Sequence, residues 1–294
     1  MAINTAAMIA RTRFGEALKA VRLAARLNGQ PVQQIHVARA LGYKSYHRVS
    51  RMGRGETWPR DVEWEKLHKF LEMDLETRVR LETMRSEGMS IAGAWWTEFQ
   101  EEFAESLIEF IAYEDAAARI TTCAGNLVPG LLQTPEYGLA VTRHLGQNEM
   151  SRPLMQRSVE LRVNRRRVFD KATPPVVEAI IGEGALRQHV GGIDVMLRQL
   201  DALISDATER GVLFRVVPFE ANATLTYMFH LFEFGGTDER PIAAFDAMSG
   251  MTFWKARKDV QGIRGLVDSL KELARPPLES LEMIRSMRKE LSRD

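Results

Sequence analysis

Five ionisable side chains beyond residue 110 are of the types that perform acid–base chemistry: Glu114, Asp115, Glu183, His189 and His230. A general base must lie within hydrogen-bond reach of the proton it removes. No nucleophile–base pair, phosphate-binding loop or GxGxxG motif accompanies any of them. Carboxylates that accept backbone N–H groups and histidines with satisfied ring nitrogens are the simpler interpretation. We therefore expect no enzyme activity, no catalytic residue, no metal ion and no cofactor.

A second set of polar side chains is suited to nucleic acid. Arginine pairs with guanine through two hydrogen bonds, while lysine, amide and hydroxyl groups bind phosphate oxygens. The predicted DNA-contacting residues are Gln33, Gln34, Lys44, Ser45, Tyr46, His47, Arg48, Arg51 and Arg54. Among these, we expect loss of Arg48 and Arg51 together to abolish DNA binding while leaving the fold intact.

The spacing around these residues predicts two helices joined by a sharp turn. In Gln34-x-x-Val37-Ala38-x-x-Leu41-Gly42, the small Ala38 lets a second helix approach and Gly42 permits the turn. The second helix, over 45–52, would pack Val49 and Met52 inward and lie in the major groove. Further helices are predicted over 12–27 and from Asp61, and Pro31 is expected in the first turn of the helix over 32–41.

These residues resemble the Xre-type helix-turn-helix family over about residues 12–73. The tail VSRMGRGETWP is similar to the family's "ISRIERG…P" ending. Two features differ from the family pattern. One extra residue stands between Leu41-Gly42 and Val49-Ser50-Arg51, and Gly53 occupies a position that is usually glutamate, which removes a local anchoring carboxylate.

Charge is distributed unevenly along the 294 residues, although the net charge is only +1. Residues 1–72 contain 13 Lys and Arg against 6 Asp and Glu, while the remainder contains 27 against 33. A basic head on an acidic body is typical of proteins that bind phosphate backbones. The single cysteine, Cys123, and the absence of a long apolar window or signal peptide predict a cytoplasmic protein without membrane contact.

The second half of the chain has a mixed pattern. Residues 74–122 are predicted to be helical, and β-branched and aromatic runs predict strands at 176–182, 212–218, 228–235 and 242–247. We expect a mainly α N-terminal helix-turn-helix domain and an α+β C-terminal domain with a small antiparallel or mixed sheet. The predicted boundaries are 1–75 for the DNA-binding domain, 76–95 for a helical linker and 96–294 for a sensing or partner-binding domain.

Residues 127–137 read LVPGLLQTPEY. Pro129-Gly130 predicts a turn, and Thr134 can cap a helix that begins at Pro135. The string resembles the signature of an actinobacterial regulator family that joins an Xre-type head to a C-terminal domain of unknown function. Glu114, Ile181–Arg187, Val190–Gly192 and Val216–Phe219 extend the resemblance over about residues 95–275. It implies an antitoxin-like regulator, in many cases encoded beside a small partner protein.

The sequence therefore predicts a sequence-specific, homodimeric transcription regulator that binds double-stranded DNA. Its C-terminal domain would bind a small-molecule effector or a small protein encoded nearby. The alternative is a regulator-like scaffold with a degenerate helix-turn-helix that acts as a pathway enzyme or a ligand-binding protein. The candidate ligand or partner residues are Trp95, Trp96, Glu114, Gln133, Tyr137, Glu183 and His189.

Overall fold

The structure is a computed structural model that describes residues 5–54, 57–90, 95–144, 151–223, 225, 227–235, 240–247 and 250–293, without the side chains of 5–12 and 87–90. The chain divides into two compact units. The N-terminal unit includes Met1–Ala112, and the C-terminal unit includes Tyr113–Gly235 with Arg240–Asp294.

The N-terminal unit is mainly helical. Its described elements are α1 (Thr5–Ala24), β1 (Arg26–Leu27), β2 (Gln30–Pro31), α2 (Gln34–Ala40), α3 (His47–Gly53), α4 (Asp61–Phe70), α5 (Leu75–Ser90) and a 3-10 helix over Trp95–Phe99. Helix α6 (Glu105–Ala116) continues into the C-terminal unit. Helix α1 packs against α3 and α5, and α2 packs against α3 and α4.

A two-residue turn between β1 and β2 changes the predicted end of the first helix. Asn28 and Gly29 both have positive φ, 52° and 79°, as a type I′ hairpin turn requires, and Asn-Gly is the pair that favours this turn. The helix expected over 12–27 therefore ends at Ala24. Pro31 lies in β2, where its missing N–H is tolerated at an edge, and not in the first turn of α2.

Aromatic rings fill the core of the N-terminal unit. Phe14 on α1 is fully buried, and its ring centroid lies 5.3 Å from Trp58 and 5.9 Å from Trp64. Met52 of α3 is also fully buried in this cluster. The core therefore fixes α3 against α1 and α4, which determines which side of α3 faces solvent.

The C-terminal unit contains one six-stranded mixed sheet and the helices that cover it. Its strands are β3 (Arg119–Ala124), β4 (Val176–Gly182), β5 (Leu213–Val217), β6 (Phe229–Glu233), β7 (Ile242–Ala247) and β8 (Gly250–Trp254). Its α-helices are α7 (Pro135–His144), α8 (Arg152–Arg165), α9 (Glu183–Arg187), α10 (Ile193–Glu209), α11 (Arg257–Leu273) and α12 (Pro277–Leu291), and 3-10 helices lie over Gly130–Leu132 and Arg166–Asp170. The predicted fold class, a helical head with an α+β domain, is confirmed.

The strand order is β5-β4-β3-β6-β7-β8. Strands β3, β4 and β5 are parallel, with Cys123 opposite Ile180, while β6, β7 and β8 are antiparallel to their neighbours. Helices α7 and α8 connect β3 to β4, and α9 and α10 connect β4 to β5. Such crossovers allow strands to run parallel.

The prediction that residues 74–122 are helical is wrong at its end, because Arg119–Ala124 forms β3. Five of its six residues are buried, so this central strand shows no polar alternation to distinguish it from the helix before it. Strand β8 was also not predicted. None of the described helices is long and apolar enough to cross a lipid bilayer.

Candidate functional site

Helices α2 and α3 are joined by the six residues 41–46. Val37, Ala38, Val49 and Met52 are buried between them and the core. Helix α3 was predicted to begin at 45 but begins at His47, so the turn between the two helices is longer than predicted. Lys44, Ser45 and Tyr46 consequently lie before the helix and not on it.

The predicted DNA-contacting side chains share the solvent side of this segment. The exposed ones are Gln33, Lys44, Ser45, Tyr46, His47, Arg51 and Arg54, and the half-buried ones are Gln34 and Arg48. No Asp or Glu occurs between residues 17 and 55, where the sequence has eight Lys and Arg. The segment of α2, the turn and α3 therefore carries basic side chains and no acidic side chain of its own, which suits a phosphate-binding surface.

Arg48 has a structural partner that the sequence did not reveal. Its Nε and Nη2 donate to the two carboxylate oxygens of Glu63 on α4 at 2.6 and 2.8 Å. The same carboxylate accepts from the Arg60 backbone N–H at 2.7 Å. Burial, with repulsion from Arg60 and Arg51, lowers the pKa of Arg48. Arg48 thus ties α3 to α4, and altering it would affect the fold as well as the surface.

Tyr46 and His47 form the aromatic part of the exposed surface. Their ring centroids are 5.1 Å apart, and Tyr46 is 47% exposed. Arg54 donates to the Ser50 hydroxyl at 2.9 Å, which holds the last turn of α3. The first turn of α3 is therefore where aromatic and hydrogen-bonding groups reach solvent together.

In the C-terminal unit, the LVPGLLQTPEY segment is anchored by Gln199 of α10. Gln199 is fully buried. Its Nε2 donates to the Leu132 carbonyl at 2.8 Å, and its Oε1 accepts from the Thr134 N–H at 2.7 Å. One amide therefore satisfies two backbone groups of the turn. Leu131 and Leu132 are buried, as core anchors should be.

The helix start predicted at this motif is confirmed. Helix α7 begins at Pro135, and Thr134 Oγ1 accepts from the Tyr137 N–H at 3.3 Å. Two of the candidate ligand residues are committed to the same turn. The Gln133 amide donates to the Val128 carbonyl at 2.7 Å, and the buried Tyr137 hydroxyl accepts from the Val128 N–H at 3.2 Å.

Glu114, another candidate, is buried in an ion pair. Both of its oxygens accept from Arg165 at 2.7 Å. Burial lowers the pKa of Arg165, but attraction to Glu114 more than offsets this and leaves that pKa raised. Arg165 also explains Gly130, because a Cβ at this glycine would lie 2.9 Å from Arg165 Nη1.

Several arginines of the basic run 162–167 point inward. Arg162 Nη1 donates to the Gly138 carbonyl and the Thr142 hydroxyl, both at 3.0 Å. Burial, with repulsion from Arg165, lowers its pKa to about 10. Arg166 pairs with the buried Asp206. Positions 162, 165 and 166 lie on one side of a helix, beside Leu161. This spacing is the sequence signal that could have predicted inward-facing arginines.

His230 lies on the sheet directly opposite Thr122 and is 4% exposed. Burial, with repulsion from Arg165, lowers its pKa to about 3. Burial raises the pKa of Asp246, although Arg165 and Arg162 oppose the rise. His230 is therefore neutral at neutral pH.

The remaining candidates lie in different places. Glu183 is buried and accepts from the Phe219 N–H at 2.9 Å and from Arg187. His189 is exposed at the edge of a cleft. Trp95 and Trp96, in the 3-10 helix of the N-terminal unit, form an edge-to-face pair with centroids 5.6 Å apart. Among the five ligand candidates of the C-terminal unit, Gln133 and Tyr137 share one turn, and only His189 is exposed.

A family model described as "Domain of unknown function (DUF5753)" matches residues 107–286. The match covers more than half of the chain, so the protein belongs to this family. It confirms the C-terminal domain of unknown function that the LVPGLLQTPEY segment predicted. Neither the curated proteins nor the solved structures contain a match.

Proposed function

We propose that this protein is a cytoplasmic transcription regulator of the Xre-type helix-turn-helix class, and that it binds duplex DNA through α2, the turn 41–46 and α3. One observation carries the proposal. The segment buries Val49 and Met52 on one side and exposes Lys44, His47 and Arg51 on the other, within a stretch that has no carboxylate. A rigid helix with an apolar back and a basic front is what the major groove accepts.

The protein would act as a homodimer, because two heads reading half-sites about one DNA turn apart give an affinity that one short helix cannot. The C-terminal unit would bind a small-molecule effector or a small partner protein. Such a ligand changes DNA affinity only if it binds one arrangement of the heads better than another. The actinobacterial, antitoxin-like organisation implied by the resemblance belongs to this proposal.

The test is selection of duplex oligonucleotides from a random pool on the full chain, followed by fluorescence anisotropy with the enriched sequence. We expect one palindromic sequence to be enriched, and a linear fall of log affinity with log salt. Arg51→Gln should weaken binding about 10-fold or more if Arg51 pairs with a base. Lys44→Gln should weaken all sequences alike and reduce the salt slope by about 1.

Lys66→Gln is the matched control, because Lys66 is an exposed cation of the same unit on α4, outside the proposed surface. It should leave affinity unchanged. Enrichment of no sequence, or equal losses in Lys66→Gln and Arg51→Gln, would contradict the proposal. The outcome would then favour a ligand-binding protein on a regulator scaffold.

A further inference from the structure

A cleft of about 850 Å³ opens on the C-terminal unit. Helix α7 forms one wall, and residues 188–191, between α9 and α10, form the other with the first turn of α10. Pockets of about 300–1,000 Å³ are the size that holds small organic molecules. None of the buried ion pairs described above uses this space.

The floor of the cleft is apolar. Leu127, Leu139, Ala140, Val190 and Val195 line it, and each is only half-buried. Half-exposed aliphatic groups that converge on one concavity gain free energy when an apolar occupant displaces water from them. The floor therefore favours a hydrocarbon or ring body.

Gly191 closes the floor by bringing the two walls together. Its φ is +78°, and a Cβ built there would lie 2.9 Å from Ala140 Cβ and 3.0 Å from Val195 Cγ1. Only glycine gives both this conformation and this approach to α7. The cleft is thus a built feature of the backbone and does not depend on the rotamers of its rim.

The rim carries one arginine and two histidines, all of which can donate hydrogen bonds. Arg143 and His144 end α7, and His189 lies on the other wall. All three side chains are exposed, and no hydrogen bond or ion pair holds them within the part of the chain that the structure describes. The acidic group in the lining is Glu136, which lies 3.9 Å from Arg198. The rim is therefore complementary to an anion.

We propose that this cleft binds a small amphipathic anion, with its apolar body on the floor and its carboxylate or phosphate between Arg143 and His189. The inference names the chemistry of the effector and rests on the proposed function for its regulatory meaning. Binding itself needs no DNA, so the two can fail separately. An acidic peptide is the competing occupant, but a concavity of this volume matches a small molecule.

The experiment is isothermal titration of the full chain, without DNA, with decanoate, decyl phosphate and decyltrimethylammonium. Decanoate and decyl phosphate should bind, and the tighter of them identifies the head group. The cation of equal chain length should bind about 10-fold more weakly or not at all, because its head group cannot accept the charge-assisted hydrogen bonds that Arg143 donates to an anion. Equal binding of all three would overturn the proposal, as would no binding of either anion.

Variants separate the floor from the rim. Ala140→Phe should fill the cleft and abolish binding of both anions, and Val190→Trp should do the same from the opposite wall. Arg143→Gln with His189→Gln should weaken the anions about 10-fold and remove their advantage over the cation. Arg285→Gln, which removes an exposed cation of α12 outside the cleft, should change nothing.

Each variant is compared with the wild type by circular dichroism and thermal midpoint. A folded Ala140→Phe or Val190→Trp variant that still binds decanoate at wild-type affinity places the binding elsewhere and overturns the proposal. Anion binding combined with failure of the DNA selection would support the cleft and reject the regulator. Sequence-specific DNA binding with no anion binding would support the regulator and reject the cleft.

Discussion

Arg48 on α3 and Glu63 on α4 form a two-point ion pair, with N···O distances of 2.6 and 2.8 Å, that fixes the proposed recognition helix to its scaffold. Helix α3 has no Asp or Glu of its own, and the carboxylate that pairs with Arg48 comes from Glu63 of the next helix. The side chain of Glu63 is 6% exposed, whereas that of Arg48 is 29% exposed. The pair therefore lies at the edge of the core, where loss of one partner leaves the other poorly solvated.

We predict that Glu63→Gln lowers the free energy of unfolding by about 2 kcal/mol, because Arg48 and Arg60 lose their shared carboxylate. It should also weaken DNA binding, since α3 loses its orientation. Urea unfolding followed by tryptophan fluorescence, with anisotropy on selected DNA, measures both effects. Glu76→Gln, at an exposed carboxylate of α5, should alter neither. A Glu63→Gln variant with wild-type stability and DNA affinity would show that the Arg48–Glu63 pair does not position α3.

Gly182 and Gly262 predict opposite effects of the same substitution. A Cβ at Gly182 would lie 2.5 Å from the Gly125 carbonyl oxygen, which belongs to the backbone and cannot rotate away. Gly182→Ala should therefore cost about 2 kcal/mol, as overpacking does. Gly262, inside α11, has no such neighbour within 4 Å, so Gly262→Ala should add about 1 kcal/mol by helix propensity.

Thermal midpoints of the two variants test this steric interpretation. We expect Gly182→Ala to melt below the wild type and Gly262→Ala to melt at or above it. Stabilisation by both would mean that β3 and β4 separate without cost at their carboxyl ends, contrary to the close approach of Gly125 and Gly182.

Features that depend on neighbouring residues, such as helix starts, were predicted well from the sequence. Ion pairs between residues far apart in the sequence could not be predicted. Thr134 and Pro135 are adjacent in sequence, and the helix start they predict is confirmed. Arg165 and Glu114 are 51 positions apart, and no sequence period connects them. Strand β3 was missed because it is buried on both faces, so its pattern reads like the helix before it. The exposed basic surface could be predicted, whereas the Arg48 partner depended on tertiary packing.

Gln199 should be required for the stability of the LVPGLLQTPEY turn. Gln199→Leu leaves the Leu132 carbonyl and the Thr134 N–H without their partner in a buried place, which should cost about 3 kcal/mol. Gln261→Leu, at an exposed position of α11, provides the matched amide-to-leucine change. Urea unfolding of both variants measures this loss of stability. Equal midpoints would show that water hydrogen-bonds to the Leu132 carbonyl and the Thr134 N–H as well as Gln199 does.

His230 predicts an acid-sensitive C-terminal unit. Its pKa is lowered from 6.5 to about 3 by burial, so the unfolded chain binds a proton that the folded chain does not. Stability from this group is complete above pH 6.5 and is lost as pH falls toward 3, by about 1.4 kcal/mol per unit. Between pH 7 and pH 5 the wild type should lose about 2 kcal/mol more than His230→Asn.

The comparison with His230→Asn removes the contribution of other titrating groups, because both proteins share them. Urea unfolding at pH 7 and pH 5 supplies the four free energies of unfolding. Equal losses in the two proteins would mean that His230 accepts a proton in the folded state. Its ring would then be hydrated, contrary to its burial beside Thr122 and Phe232.

Cys123 should report the opening of the sheet, since it is the single cysteine of the chain and lies fully buried on β3. Burial, with repulsion from Glu178, raises the pKa of its thiol, which suppresses the reactive thiolate. Ellman's reagent at pH 8 should therefore find almost no thiol in the folded protein and one per chain in urea. The Cys123→Ser variant, which has no thiol, gives the background signal.

The rate of labelling should report unfolding. Because β3 is the central partner of β4 and β6, the labelling rate below the urea midpoint should follow unfolding of the C-terminal unit. Complete labelling within minutes in native buffer would show that β3 is exposed far more often than its burial allows.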